Sequence, residues 1–258
     1  MASFYIKTNR AFTFIRKTAW IISLLIAVGG LWNPKLGLLV ILIMLSLIIM
    51  SLFKGRYWCG NFCPHGSLYD FLVLPLSLNK KIPSAITSKI APVLVLIWFG
   101  YNMTRKFLSA FSIFGTEQFL DKLGFVFVST YLMVLIVGGL LSIFISPRTW
   151  CHFCPMGTIQ MLVYKLGKLL GVTKKTDEKV TISAKEKCLK CGKCEKVCPM
   201  QLAPYREFSD NNQFDHEKCI RCSTCVVNCP AGILSLNIQQ KTEKSMAACG
   251  IILNNENE

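Results

Sequence analysis

Residues 188–199 read CLKCGKCEKVCP and residues 219–230 read CIRCSTCVVNCP. Both are CxxCxxCxxxCP. A cubane cluster needs several thiolates presented from one side at short reach, and a CxxCxxC turn supplies three while aiming backbone N–H groups at the sulfurs. The fourth cysteine, the one before proline, reaches the other cluster. The spacing therefore predicts two [4Fe-4S] clusters, one on Cys188, Cys191, Cys194 and Cys229, the other on Cys219, Cys222, Cys225 and Cys198. Zinc asks only for paired CxxC knuckles and would leave the third cysteine of each turn unused. Short strands are expected at 180–183 and 233–238, with residues 200–218 looping out between the halves. In so small a unit, thiolate bonds rather than apolar burial decide stability. Lysines at 185, 187, 190, 193 and 196 crowd the first turn. Offsetting the anionic cluster is the simpler reading of them, and steering an acidic partner is the other.

The rest of the chain has a different composition. Overall, 52% of the 258 residues are hydrophobic and 17% are charged, and the mean hydropathy is +0.45. A span needs about 18 or more apolar residues. Residues 36–53 and 123–145 meet that length; 18–32 is shorter, flanked by Arg16 and Lys17; 86–103 contains Lys89 and Pro92. Four spans joined by a turn at 33–35 and loops at 54–85 and 104–122 make two helical hairpins. The net charge of +15 does not point to nucleic acid, because its distribution reads as topology: residues 1–53 carry five basic side chains and no acid. Lys/Arg excess places the N-terminus, the central loop and the C-terminal region on the cytoplasmic side of the inner membrane. Thirteen cysteines in short spacings beside lysines fit metal ligation in a reducing compartment, not a disulfide scaffold. The expected organisation is a membrane domain over 1–146, a loop, interfacial helix and linker over 147–178, a cluster domain over 179–240 and a polar tail over 241–258, where Cys249 is a spare thiol.

Each hairpin ends in a similar phrase. Residues 58–66 read WCGNFCPHG and residues 150–157 read WCHFCPMG, one residue shorter. Arg56/Arg148, Trp58/Trp150, Phe62/Phe153, Pro64/Pro155 and Gly66/Gly157 correspond, as expected for a duplicated two-span unit whose phrases meet on a pseudo-twofold axis along the membrane normal. Cys59, Cys63, Cys151 and Cys154 are the right number for a third cluster or another tetrathiolate metal site. The alternative is four reduced thiols in juxtamembrane turns, with Trp58 and Trp150 as interface anchors. Short amphipathic helices at the interface are expected over 68–78 and 159–170, and a polar linker over 171–178. His65 and His152 lie inside the phrases, where either would serve as a quinol proton acceptor; a loop histidine is otherwise solvated. With His216 these are all the histidines, and none lies in a span, which excludes a bis-histidine haem and any visible proton path. No GxGxxG, P-loop or HExxH phrase occurs.

Four spans, two WCxxxCPxG-type phrases and a C-terminal bacterial-type two-cluster ferredoxin of α+β class resemble the NapH-type membrane ferredoxins over about residues 10–235. That family is similar to the membrane regions of NosR and CcoG and to MauN. The resemblance implies quinol oxidation at the membrane and electron delivery to a reductase or cytochrome. It places the family's two Cys-Pro motifs on Cys59, Cys63 and Pro64 and on Cys151, Cys154 and Pro155. The CcoG and MauN likeness allows a copper reductase or an electron donor in enzyme maturation instead. A membrane-tethered redox sensor is the third reading, against which stands the lack of any output domain. The expected partners are membrane lipid, quinone and a second redox protein.

Overall fold

The computed structural model describes residues 4–209 and 211–238, so Cys249 and most of the expected tail lie outside the described residues. Three helical stretches are long and apolar enough to cross a membrane: Phe14–Leu31, Pro34–Lys54 and Phe119–Phe144. Their outward faces are greasy. Leu42, Ile49 and Ile136 are each more than half exposed, a surface that water would not tolerate as a patch.

Small residues let these stretches touch at the backbone. A side chain at Gly37 would collide with the Gly124 carbonyl, and one at Gly124 with the Pro34 carbonyl. The 3-10 turn Pro34–Leu38 thus lies directly on the first turns of Phe119–Phe144, the packing device of apolar helices. Farther along, Ile26, Val40 and Phe127 form a small buried cluster between the same elements.

The fourth apolar run forms the 22-residue helix Ile90–Phe111, but its second half carries Asn102, Arg105 and Lys106. It starts later than expected, because the chain kinks at Ser88 after the short turn Ser84–Thr87; the Ser88 hydroxyl accepts from Ala91 N–H at 3.2 Å. Its two ends are well marked. At the start, Lys218 Nζ donates to the Thr87 carbonyl at 2.5 Å, and at the finish, the Phe111 ring lies 5.5 Å from Phe119.

The C-terminal domain is built on a three-stranded antiparallel sheet of order β2-β1-β3, with β1 Glu178–Ile182, β2 Gln213–Phe214 and β3 Leu234–Ile238. Glu178 pairs with Ile238 and Ile182 with Leu234. Two expectations are corrected here. Residues 200–218 do not simply loop out: Phe214 returns to β1 and is buried with Val180, Ile182 and Leu234. Residues 171–178 are not a free linker either. Asp177 is buried, accepts from the Tyr164 hydroxyl, and pairs with Arg221 Nε at 2.7 Å.

The expected interfacial helix over 68–78 is also shorter than predicted. A turn at Pro64–Leu68 runs into a π-helical turn at Tyr69–Val73, after which the chain extends along the end of Phe119–Phe144, Leu78 N–H donating to Ile143 O at 2.8 Å. Its counterpart, Pro155–Leu169, is a full helix that packs on Leu39–Lys54, with Gly167 against the Leu52 carbonyl. Ahead of the first span, Ile6 N–H donates to Lys196 O at 2.8 Å, so the N-terminal segment lies on the same face as the C-terminal domain.

Candidate metal centres

The two CxxCxxC turns are built alike. Lys190 and Gly192 in the first, and Arg221 and Ser223 in the second, occupy the left-handed region, at φ 48°, 68°, 51° and 61°. Three of these are not glycine and cost about 1–2 kcal/mol each. Short helices then start at Lys193 and Thr224. Cys194 lies within the first and Cys198 just beyond its end, and Cys225 lies within the second and Cys229 just beyond its end.

Each set of four cysteines surrounds one hollow. Cys188, Cys191, Cys194 and Cys229 line a space of about 400 Å³, partly open to solvent, with Ile182, Leu189 and Phe208. Cys198, Cys219, Cys222 and Cys225 line another of about 350 Å³ with Val180, Met200 and Phe214. Among the described residues no three His, Cys, Asp or Glu side chains gather tightly enough for a single metal ion. Thiols standing round a hollow suit a cubane; a zinc ion needs four sulfurs about 2.3 Å from one point. Burial, then the nearby Cys222 sulfur, push the Cys198 thiol up to about 12, so it keeps its proton until a metal displaces it.

The Cys-Pro phrases come together beside the second hollow. Arg56 Nη2 donates to Cys151 O at 2.8 Å, and Arg148 Nη1 donates to Cys59 O at 2.9 Å. Each arginine thus clamps the opposite phrase, passing over a glycine with no room for a side chain: Gly157 under Arg56 and Gly66 under Arg148. Cys63 and Cys154 both sit at the N-caps of helices that begin with proline. The missing residue is absorbed between the cysteines. In the longer phrase Phe62 N–H closes an α-type bond to Trp58 O, whereas in the shorter one Phe153 N–H closes a 3-10 bond to Trp150 O.

A buried charge network surrounds these thiols. Asp70 takes Arg148 Nη2 at 2.5 Å, Arg16 Nη2 at 3.0 Å and Arg10 Nη1 at 3.6 Å. Arg16 Nη1 also donates to Cys222 O at 3.1 Å. One bonded path therefore runs from Cys222 through Arg16, Asp70 and Arg148 to Cys59. Gln160, fully buried, donates to Cys59 Sγ at 3.1 Å. Cys59 and Cys151 pack with Cys222, Met200 and Ile220 in one cluster.

The comparisons with known proteins bear on these same segments. A family model described as a 4Fe-4S binding domain matches twice, over residues 36–83 and 128–173, each match containing one Cys-Pro phrase. A 4Fe-4S dicluster domain matches residues 187–234. The chain carries iron–sulfur domains. It is 25% and 29% identical to two uncharacterized proteins of Methanocaldococcus jannaschii, MJ0750 and MJ0749, over 60% of its length and 63% and 56% of theirs. It is 25% identical to YccM of Escherichia coli, whose name proposes a role in electron transport, over 77% of this chain and 59% of that one. The chain thus spans about 60% of the length of the relatives it matches. No solved structure matches.

In this iron–sulfur protein, the residues that sequence reading missed are Arg10, Arg16, Asp70 and Gln160. The histidines also differ from expectation. Neither is solvated: His65 and His152 are 9% and 4% exposed. The His65 ring lies 4.6 Å from that of Tyr131, tilted by 56°, facing Phe119–Phe144. Burial, with a smaller opposing effect from the Tyr131 backbone, pulls its pKa down to about 4. His152 faces the ferredoxin side, where burial and then Arg56 and Lys218 pull it down to about 3. Both are neutral at physiological pH. Trp150 is likewise buried against Leu68 and Tyr69, not an interface anchor.

The phrases dock on the cluster domain without a gap. A side chain at Gly60 would strike the Ile220 carbonyl. Gly60→Ala is expected to cost about 1–3 kcal/mol by forcing these surfaces apart, seen as a lower Tm.

Proposed function

We propose that this protein is a membrane-anchored iron–sulfur relay of the NapH type, passing single electrons between quinol in the lipid and a soluble redox partner. Cys188, Cys191, Cys194 and Cys229 would hold one [4Fe-4S] cluster, and Cys198, Cys219, Cys222 and Cys225 a second. Cys59, Cys63, Cys151 and Cys154 would hold a third. When bound, the clusters supply one-electron redox chemistry; the chain supplies ligands, positive charge and exclusion of water.

The observation that carries the third site is the charge around it. Arg10, Arg16, Arg56 and Arg148 are 1–3% exposed, and Asp70 is the carboxylate among them. Four cations less one anion leaves an excess of three, and Arg10 Nε and Arg56 Nε find no hydrogen-bond partner among the described residues. Unpaired buried charge costs several kcal/mol each. The groups beside it that can balance the excess are the thiols, and burial opposes ionisation at Cys63, Cys151 and Cys154: Cys154 is pushed up to about 12, by burial first and then by its neighbouring sulfurs. Neutral thiols leave the arginines uncompensated. A tetrathiolate cluster is an anion and completes the site.

The topology of the helices supports a fourth crossing. Both Cys-Pro phrases and the N-terminal segment lie on the ferredoxin side, whereas Lys35 in the first hairpin turn and Asp121 at the start of Phe119–Phe144 pair at 4.0 Å on the other. The chain must cross once between them, and Ile90–Phe111, about 33 Å long at 1.5 Å per residue, is the helix that makes this passage. Two hairpins each ending in a clamped phrase are what a duplicated unit would produce. The Lys/Arg excess on the ferredoxin side supports a cytoplasmic location for that side. Quinol gives up two electrons one at a time, and its two protons pass to water at that surface.

Anaerobic purification with iron and acid-labile sulfide analysis is expected to give about twelve irons per chain; about eight would leave the Cys-Pro site without a cluster. In membranes, added quinol is expected to reduce the clusters. Clusters that dithionite reduces and quinol does not would overturn the quinol reading.

A further inference from the structure

Of the three thiol sets, the one in the first hollow is the most exposed. At the Cys-Pro site Cys59 and Cys151 are buried, in the second hollow Cys222 and Cys225 are buried, and in the first Cys191 is exposed. Leu189, which lines that first hollow, is 69% exposed, and Pro230 and Ala231 beside it are also at the surface. Around this apolar spot stand Lys185, Lys187, Lys190 and Lys193, all exposed.

These lysines differ from others in the chain. Lys165, Lys168 and Lys179 each pair with Glu217 or Asp215. Lys187, Lys190 and Lys193 take part in no ion pair among the described residues. The twin turn carries its cations differently. CIRCSTCVVNCP has the same spacing and no lysine, and its one cation, Arg221, is buried and engaged by Asp177 at 2.7 Å. Buried Arg16 stands beside it, donating to Cys222 O at 3.1 Å, whereas the cations of the first turn lie at the surface. Charges in water are screened over about 8–10 Å at physiological salt, so attraction of a partner by exposed lysines weakens as salt rises.

We infer that the face formed by Leu189, Cys191 and the ring of Lys187, Lys190 and Lys193 is the docking surface for an acidic, soluble one-electron carrier protein. This rests on the proposed loading of the first hollow. An apolar contact spot within a charged rim suits a short-lived complex, in which complementary charge raises the association rate by about 10–1,000-fold. One electron crosses between the first cluster and the carrier's own redox centre; one is oxidised, the other reduced, and no bond forms or breaks.

The test uses the full chain in detergent, purified anaerobically. Iron content and the spectrum on dithionite reduction are measured first; absence of the ferredoxin clusters would sink the loading, not the surface. The reduced protein is then mixed in stopped flow with an oxidised acidic [2Fe-2S] ferredoxin and, separately, with an oxidised basic haem carrier, across a salt series. Oxidation by the acidic carrier is expected to be the faster at low salt and to slow as salt rises. Lys187→Glu with Lys190→Glu and Lys193→Glu should slow the acidic carrier at least tenfold and speed the basic one, with the cluster midpoint potentials unchanged. Lys174→Glu with Lys175→Glu, exposed but remote from this rim, is the control and should alter neither. Rates independent of salt and of the triple reversal, or equal effects from the control pair, would overturn the surface. So would a preserved rate accompanied by a shifted potential, because the lysines would then be tuning the cluster.

Discussion

Cys59→Ser combined with Cys154→Ser is expected to lower the iron content from about twelve to about eight per chain and to abolish quinol-dependent reduction of the remaining clusters. One cysteine is taken from each phrase, so neither loop retains its pair. Serine is close in size, but its hydroxyl is a poor replacement for a soft thiolate. The eight cysteines at 188–229 are untouched, so dithionite should still reduce the ferredoxin clusters and their spectrum should persist. That retained signal separates loss of a relay member from loss of the fold. The arginines make the effect larger than a simple ligand deletion, because Arg56 and Arg148 then face an empty, neutral site while held by the backbone of Cys151 and Cys59. Charge without compensation should also lower Tm. Unchanged iron, spectrum and quinol-driven reduction would remove the phrases from the electron path.

The cysteine turns were readable because they are local. Three cysteines of each cluster set lie within seven residues, and the two turns repeat the same left-handed positions. The apolar runs were readable for the same reason, since a span is a property of about twenty consecutive residues. Asp70 was not. In sequence it is one acid in an amphipathic stretch, and the arginines that give it meaning lie 54 and 78 residues away. Arg56 and Arg148 were noticed as a repeated pair, yet what they do is visible only when each is seen to grip the other phrase. The one-residue difference between the phrases looked like a break in equivalence; it resolves into an α-type turn in one and a 3-10 turn in the other, both delivering a cysteine to the same helix cap. Strand β2 escaped notice because two residues carry no period, and Phe214 joins the sheet through β1, not through any pattern of its own.

Asp70→Asn and Arg148→Gln are expected to move the midpoint potential of the Cys-Pro cluster in opposite directions while both destabilise the protein. Breaking a buried ion pair by removing one partner costs about 3–5 kcal/mol, and Asp70 serves three arginines at once. Burial opposes its ionisation, but Arg148, then Arg10 and Arg16, hold its pKa down to about 2, against about 3.9 for a free aspartate. The stability it contributes is therefore complete above pH ~4 and is lost only as pH falls through the interval towards 2. The Tm gap between wild type and Asp70→Asn should accordingly stay level across neutral pH. Potential is the more telling readout. Removing the carboxylate leaves more positive charge beside the cluster, which favours its reduced, more anionic form and raises the potential; removing the Arg148 guanidinium does the reverse. In a site of effective dielectric about 20, one charge at this range is worth on the order of 100 mV for a one-electron couple. Lost packing would lower Tm in both variants and would give no reason for shifts of opposite sign. Two shifts in the same direction, or none, would mean that the arginine network supports the fold and does not set the charge balance of a cluster.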